Sequence, residues 1–131
     1  MREISERYFY ENFMKIIEEK ITIEELKEMA QKMFGSLVKA VVDVEKEIMA
    51  VDGELHADLE VLLIGNGSKR ANLWGINIYP ELEGGEQIEF DSMINLKPHL
   101  RNRTRDVEDA AVREKIIAIV NKLLKKDGSP A

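Results

Sequence analysis

Leu73-Trp-Gly-Ile-Asn-Ile-Tyr-Pro80, followed after a short link by Ile88-Glu-Phe-Asp-Ser-Met-Ile-Asn95, carries the clearest strand pattern in the chain. Trp74, Ile76 and Ile78 fall on one face of an extended segment, and Leu73, Gly75, Asn77 and Tyr79 on the other. Pro80 ends the run, because proline cannot donate to a ladder. In the second segment Ile88, Phe90, Ser92, Ile94 and Leu96 alternate with Glu89, Asp91, Met93 and Asn95. The link holds Gly84-Gly85, so the two segments are expected to pair as an antiparallel hairpin.

Outward from the hairpin, Leu37–Glu45 predicts a further strand. Val38, Ala40, Val42 and Val44 point one way and Val41, Asp43 and Glu45 the other. Ile48–Val51 predicts a short strand closed by the Asp52-Gly53 turn pair. Lys15–Ile21 alternates loosely, as an edge strand does. Thr22-Ile-Glu-Glu25 is a capping box that opens a helix; Leu26, Met29, Met33 and Phe34 form its buried stripe and Gly35 its left-handed stop. Glu54–Ile64 admits two readings. As a strand it gathers Glu54, His56, Asp58 and Glu60 on one face; as a helix it gathers Leu55, Leu59, Leu62 and Leu63. Its length and its Ala, Leu and Glu content favour the helix. Lys97–Arg105 is a basic loop. Asp106 is expected to cap the last helix, with Glu108 and Asp109 in its first turn, Lys122, Lys125 and Lys126 in its last, and Ile116, Val120, Leu123 and Leu124 inside.

The expected fold is therefore α+β: a single domain over residues 14–126, with a mainly antiparallel sheet of four to five short strands packed by two or three helices. Residues 1–13 hold Tyr8, Phe9, Tyr10 and Phe13, half of the aromatic residues, and predict an N-terminal helical extension, which either packs on its own domain, the plainer reading, or docks on a partner subunit. Residues 127–131 are expected to fray.

The 131 residues suffice for one core without staples. With 44% apolar and 34% charged residues the chain has the composition of a globular domain, so disorder is not expected. The absence of cysteine excludes disulfides, thiolate metal sites and thiol nucleophiles. No apolar run reaches the ~20 residues of a membrane span, and the N-terminus lacks the apolar stretch of a leader. A cytoplasmic protein is expected. The net charge of −6 argues against non-specific nucleic-acid binding.

From about Met14 onward the chain resembles a family of small prokaryotic proteins known only as a domain of unknown function. The resemblance is carried by Leu37-Val-Lys-Ala-Val-Val-Asp-Val44, Gly53-Glu-Leu-His-Ala-Asp58, Gly67-Ser68, Leu73-Trp-Gly-Ile-Asn77 with Tyr79-Pro80, and Phe90-Asp-Ser-Met-Ile-Asn95. It implies a stand-alone domain. It supplies no activity, substrate or cofactor, and residues 1–13 lie outside it.

The candidate site comes from the polar strand faces. Asp43, Asn77, Asp91 and Asn95 are poor strand formers placed in predicted strands, and local misfits tend to mark function. Neighbouring strands bring such groups within about 4.5–5.5 Å, where a carboxylate beside a carboxamide binds a cation or polar ligand. These four, with Arg101, are the expected ligand-binding residues. The plainer alternative is a solvated sheet face. A second constellation is Glu54, His56, Asp58 and Glu60. It suits a divalent metal, although on a helix only His56/Glu60 and Glu54/Asp58 share faces. A third is Arg101-Asn-Arg-Thr-Arg105 with His99, which suits an anion or RNA. Gly65-Asn-Gly67-Ser-Lys69 lacks the phosphate-loop spacing, and no serine elbow accompanies the histidines.

The expected function is a small-ligand or protein-binding module without a cofactor, acting as a homodimer possessing an interface over residues 1–17. The rival reading is a metal-assisted hydrolase in which Asp43, Asp91, His56 or Glu54 holds the ion.

Overall fold

The alternation in the sequence becomes a sheet with both faces covered. The computed structural model describes residues 13–126. The expected extension over residues 1–13, apart from Phe13, and the expected tail over residues 127–131 lie outside the described residues. The elements run β1 (Lys15–Ile17), β2 (Ile21–Thr22), α1 (Ile23–Met33), β3 (Val38–Asp43), β4 (Ile48–Val51), α2 (His56–Gly65), β5 (Leu73–Ile78), β6 (Ile88–Glu89), α3 (Ala110–Leu123) and β7 (Leu124–Lys125). The main sheet has the order β1-β4-β3-β5-β6 and is antiparallel throughout. The long strand β3 sits at its centre, pairing Val41 with Ala50 on one side and with Gly75 on the other. The hairpin of β5 and β6 forms as expected, and β1 is an edge strand. A two-stranded parallel sheet, β2 with β7, ties the end of α3 to the start of α1. The domain is α+β, with three helices among the described residues.

One face of the sheet carries Val38, Ala40, Val42, Trp74, Ile76 and Ile78, and α1 and α3 bury it with Leu26, Met29, Ile116 and Val120. The other carries Val41, Ala50 and Leu73 under Leu59 and Leu63 of α2. Each fully buried aliphatic side chain contributes roughly 1.5–3 kcal/mol. The helix starts where the sequence places it: Thr22 Oγ accepts from Glu25 N–H (3.0 Å) and Glu25 Oε1 accepts from Thr22 N–H (3.0 Å). That pair holds the Glu25 carboxyl below its ordinary value, chiefly through the Thr22 backbone donor. Gly35 then takes φ +90°, which residues with a Cβ rarely adopt.

Local expectations differ from the structure at several points. Phe34, expected inside, is the exposed C-cap of α1, and Lys125 and Lys126 lie beyond α3, which ends at Leu123. β6 ends at Glu89, and the chain continues into a 3-10 turn at Met93–Asn95 instead of extending to Leu96. Ser92 Oγ accepts from Ile94 N–H (3.2 Å) and starts that turn. The last helix opens at Asp109, not Asp106: Asp109 Oδ1 caps Ala111 N–H (2.9 Å), while Asp106 pairs with Arg113 (3.0 Å). Leu55 precedes the first turn of α2 and is exposed, and His56 goes inside in its place.

Where β6 has stopped, a single side chain finishes the edge of β5. Asn95 Oδ1 accepts from Gly75 N–H (2.8 Å), and Asn95 Nδ2 donates to Gly75 O (3.0 Å) and Arg105 O (2.9 Å). The carboxamide stands in for a strand residue. Replacing Asn95 with Asp keeps the acceptor, removes both donations and buries a charge. The expected cost is about 3 kcal/mol, read from urea unfolding. A change within about 0.5 kcal/mol of the native protein would show that the amide carries no such weight.

Candidate functional site

The polar residues singled out in the sequence gather mainly on the α2 side of the sheet, around Gly75. A Cβ on Gly75 would stand 2.6 Å from Ser92 Cβ and Oγ and 3.2 Å from His56 Cδ2. Glycine is required because Ser92 and His56 pack directly on the strand. His56 is buried, and its Nε2 lies 2.8 Å from Ile76 O. A carbonyl only accepts, so Nε2 carries the hydrogen. Burial pushes the His56 pKa down, and Lys39 and Arg105 act in the same direction; the Ile76 bond and Asp91 oppose them.

Asn77 lies one pleat further along β5, paired with Lys39 and Glu89 in register. Its Nδ2 donates to Glu89 Oε1 (2.9 Å), which also accepts from Tyr79 Oη (2.9 Å). Burial first, and then Glu89, raise the Tyr79 pKa. Asn77 Oδ1 is buried without a donor among the described residues. Asp91 is held by Arg105 Nε at 2.6 Å.

Asp43 and Arg101 stand apart from this group. Asp43 lies opposite Leu73, and its Oδ1 accepts from Glu45 N–H (2.9 Å) and Lys46 N–H (3.0 Å) while Oδ2 accepts from Ser68 Oγ (2.6 Å). It fastens the β3–β4 turn. Arg101 is exposed at the end of the Pro98–Leu100 turn with φ 64°. Thus His56, Asn77, Asp91 and Asn95 share one region, but each bonds to the protein itself: His56 ties α2 to β5, Asn77 bonds across to β6, Asp91 pairs with Arg105, and Asn95 joins β5 to the segment lying over it.

The same polar network builds the basic loop. Asn102 Nδ2 lies 2.7 Å from Asn95 O, 3.2 Å from Thr104 O and 2.7 Å from Asp106 O, while its Oδ1 accepts from Glu108 N–H (2.8 Å). Lys97 pairs with Asn102 through the backbone (2.8 Å), and its buried ammonium donates to Arg70 O (3.1 Å), 5.3 Å from the Trp74 ring. Burial lowers the Lys97 pKa, and Glu60 nearby works against that. The result is a firmly anchored loop whose tip leaves Leu96, Leu100, Arg101 and Arg103 exposed.

A groove of about 710 Å³ opens on the other flank of α2. Phe13, Met14, Met33, Val61 and Leu62 supply apolar surface, and Asp52, Glu54 and Asp58 supply carboxylates; Lys32 is the only cation among the described residues lining it. Asp52 holds φ 71°, and burial raises its pKa against the pull of Lys32 and Lys15. Glu54 and Asp58 face this groove while His56 points inward to Ile76, so the residues of the metal constellation diverge. No group of three or more His, Asp or Glu side chains among the described residues is placed to hold a metal ion. Sequence reasoning missed the groove. The available signal was α2 itself, whose Leu59, Val61, Leu62, Leu63 and Ile64 place apolar side chains around much of its circumference.

No helix among the described residues is long and apolar enough to cross a membrane. The chain belongs to a family of proteins of unknown function, DUF5674, whose model matches residues 15–123. No curated protein and no solved structure matches it.

The buried imidazole gives the fold a pH dependence of definite sign. The unfolded chain takes up the His56 proton near pH 6.5, whereas the folded chain takes it up only at lower pH. This contribution is intact above the unfolded value and is lost as pH falls through the folded one. Between about pH 7.5 and 5, the native protein should therefore lose more stability than His56→Gln does, as measured by urea unfolding. Parallel pH profiles for the two proteins would remove His56 from the explanation.

Proposed function

We propose that this family member is a protein-binding module whose working surface is the groove beside α2. The observation that supports the reading is an apolar floor rimmed by Asp52, Glu54 and Asp58. Val61 is 64% exposed on that wall although it sits mid-helix among apolar neighbours. An exposed apolar helix surface marks an interaction site. Its volume lies in the range of ligand clefts, about 300–1,000 Å³. The matching occupant carries large aliphatic side chains next to Lys or Arg, because apolar contact gives affinity and complementary charge gives orientation and on-rate. The polar residues around Gly75 contribute by holding the sheet on which α2 rests.

The test uses a labelled peptide of about ten residues, rich in leucine and arginine, and a control with glutamate replacing arginine. The basic peptide should bind and shift the methyl resonances of Met33, Val61 and Leu62; the acidic one should not. Val61→Lys should weaken binding at least about tenfold while leaving unfolding unchanged, since the side chain is exposed. Binding without shifts at these methyls, or equal binding of both peptides, would refute the reading.

A further inference from the structure

The molecule carries both halves of such a contact. The loop tip at Leu100, Arg101 and Arg103 presents an aliphatic side chain beside two guanidiniums. The groove presents aliphatic surface beside three carboxylates. The two cannot meet within one chain. The groove lies by Met14 and Asp52, at the β1–β4 side of the sheet, while the loop is fastened through Asn95 to the outer edge of β5. On α2 itself, Asp58, Val61 and Leu62 line the groove, whereas Glu60 turns toward Arg70 (3.5 Å) on the loop's side. The loop is also held by buried asparagines and has no slack to cross the helix.

We infer that the groove of one copy receives the loop tip of a second copy, Leu100 entering the apolar floor while Arg101 and Arg103 face the carboxylates. This identification rests on the groove being the binding surface. Arg101 holds φ 64°, a conformation uncommon for a residue with a Cβ, so the backbone at the tip has a defined bend that sets where Leu100 and Arg101 leave the chain. Fixed presentation lowers the entropy lost on association. Because donor and acceptor patches differ, a two-fold arrangement makes the contact twice, and any other rotation makes a ring or chain.

The test is sedimentation velocity on three full-length proteins: the native chain, R101E/R103E, and E54K/D58K. All substituted positions are exposed, and circular dichroism with thermal unfolding checks that both variants fold. The native chain should self-associate, and about 0.5 M salt should weaken it because the contact is charged. Each variant alone should associate at least about tenfold more weakly. An equimolar mixture of the two should recover the native mass, because glutamates at one tip then meet lysines in the other groove. A native chain that remains single at about 0.5 mM overturns the inference. If that single chain still binds the basic peptide, the groove reading stands and only the second copy falls; if it binds neither, both fall. Variants that associate like the native chain, or a mixture that stays single, also overturn it.

Discussion

The carboxamide of Asn95 against the backbone of Gly75 is the interaction on which the described structure turns. β6 pairs with β5 at only two positions, Asn77↔Glu89 and Ile78↔Ile88. Beyond them the polar backbone of Gly75 would lie buried and unpaired, at about 1–3 kcal/mol for each group left without a partner. One side chain supplies both the acceptor and the donor and then reaches Arg105 O. The absence of a side chain at Gly75 is the other half of the arrangement. It lets Ser92 and His56 pack on the strand and brings the 92–106 segment down as a lid on the sheet. His56 of α2 packs beside Gly75, and the basic loop is tied to Asn95 through Asn102.

Most of the polar chemistry on this face goes into construction, Asn77 Oδ1 being the buried side-chain atom among the described residues that lacks a partner. Asp43 caps a turn, Asn95 completes a strand, Asn102 closes a loop and Asp91 holds Arg105. A buried, hydrogen-bonded network of this kind rigidifies what it supports. What it supports is a pair of surfaces on opposite flanks of α2: an acidic apolar groove and a basic apolar tip. Binding chemistry is therefore expected on the flanks, where side chains are exposed, and structural chemistry in the middle.

Much of the fold was legible in the sequence because periodicity reports burial directly. The Thr22 capping box, the Val38–Val42 alternation and the Trp74–Ile78 face all appear where their patterns place them. Ile88–Asn95 misled for a physical reason. Its alternation is real, but Ser92 starts a turn through its own hydroxyl, and the Asn95 side chain does by itself what a strand residue would do with its backbone. Of the four expected misfits, Asp43 and Asn77 do lie in strands, whereas Asp91 and Asn95 lie beyond the end of β6 and are no misfits there. Residue type alone does not separate a carboxamide that binds a ligand from one that binds a strand. The groove escaped notice because its residues come from four separate segments: 13–14, 32–33, 52–54 and 58–62. No periodicity links segments that only folding brings together.

The most direct measurement is amide hydrogen exchange at Gly75, followed by NMR under native conditions. If a side chain completes the edge of β5, this amide should exchange as slowly as those of neighbouring core residues such as Val41 and Val42, opening only with global unfolding. Exchange of Gly75 within minutes, while the β3 amides stay protected, would be incompatible with an Asn95 clamp and with the rigid loop built upon it.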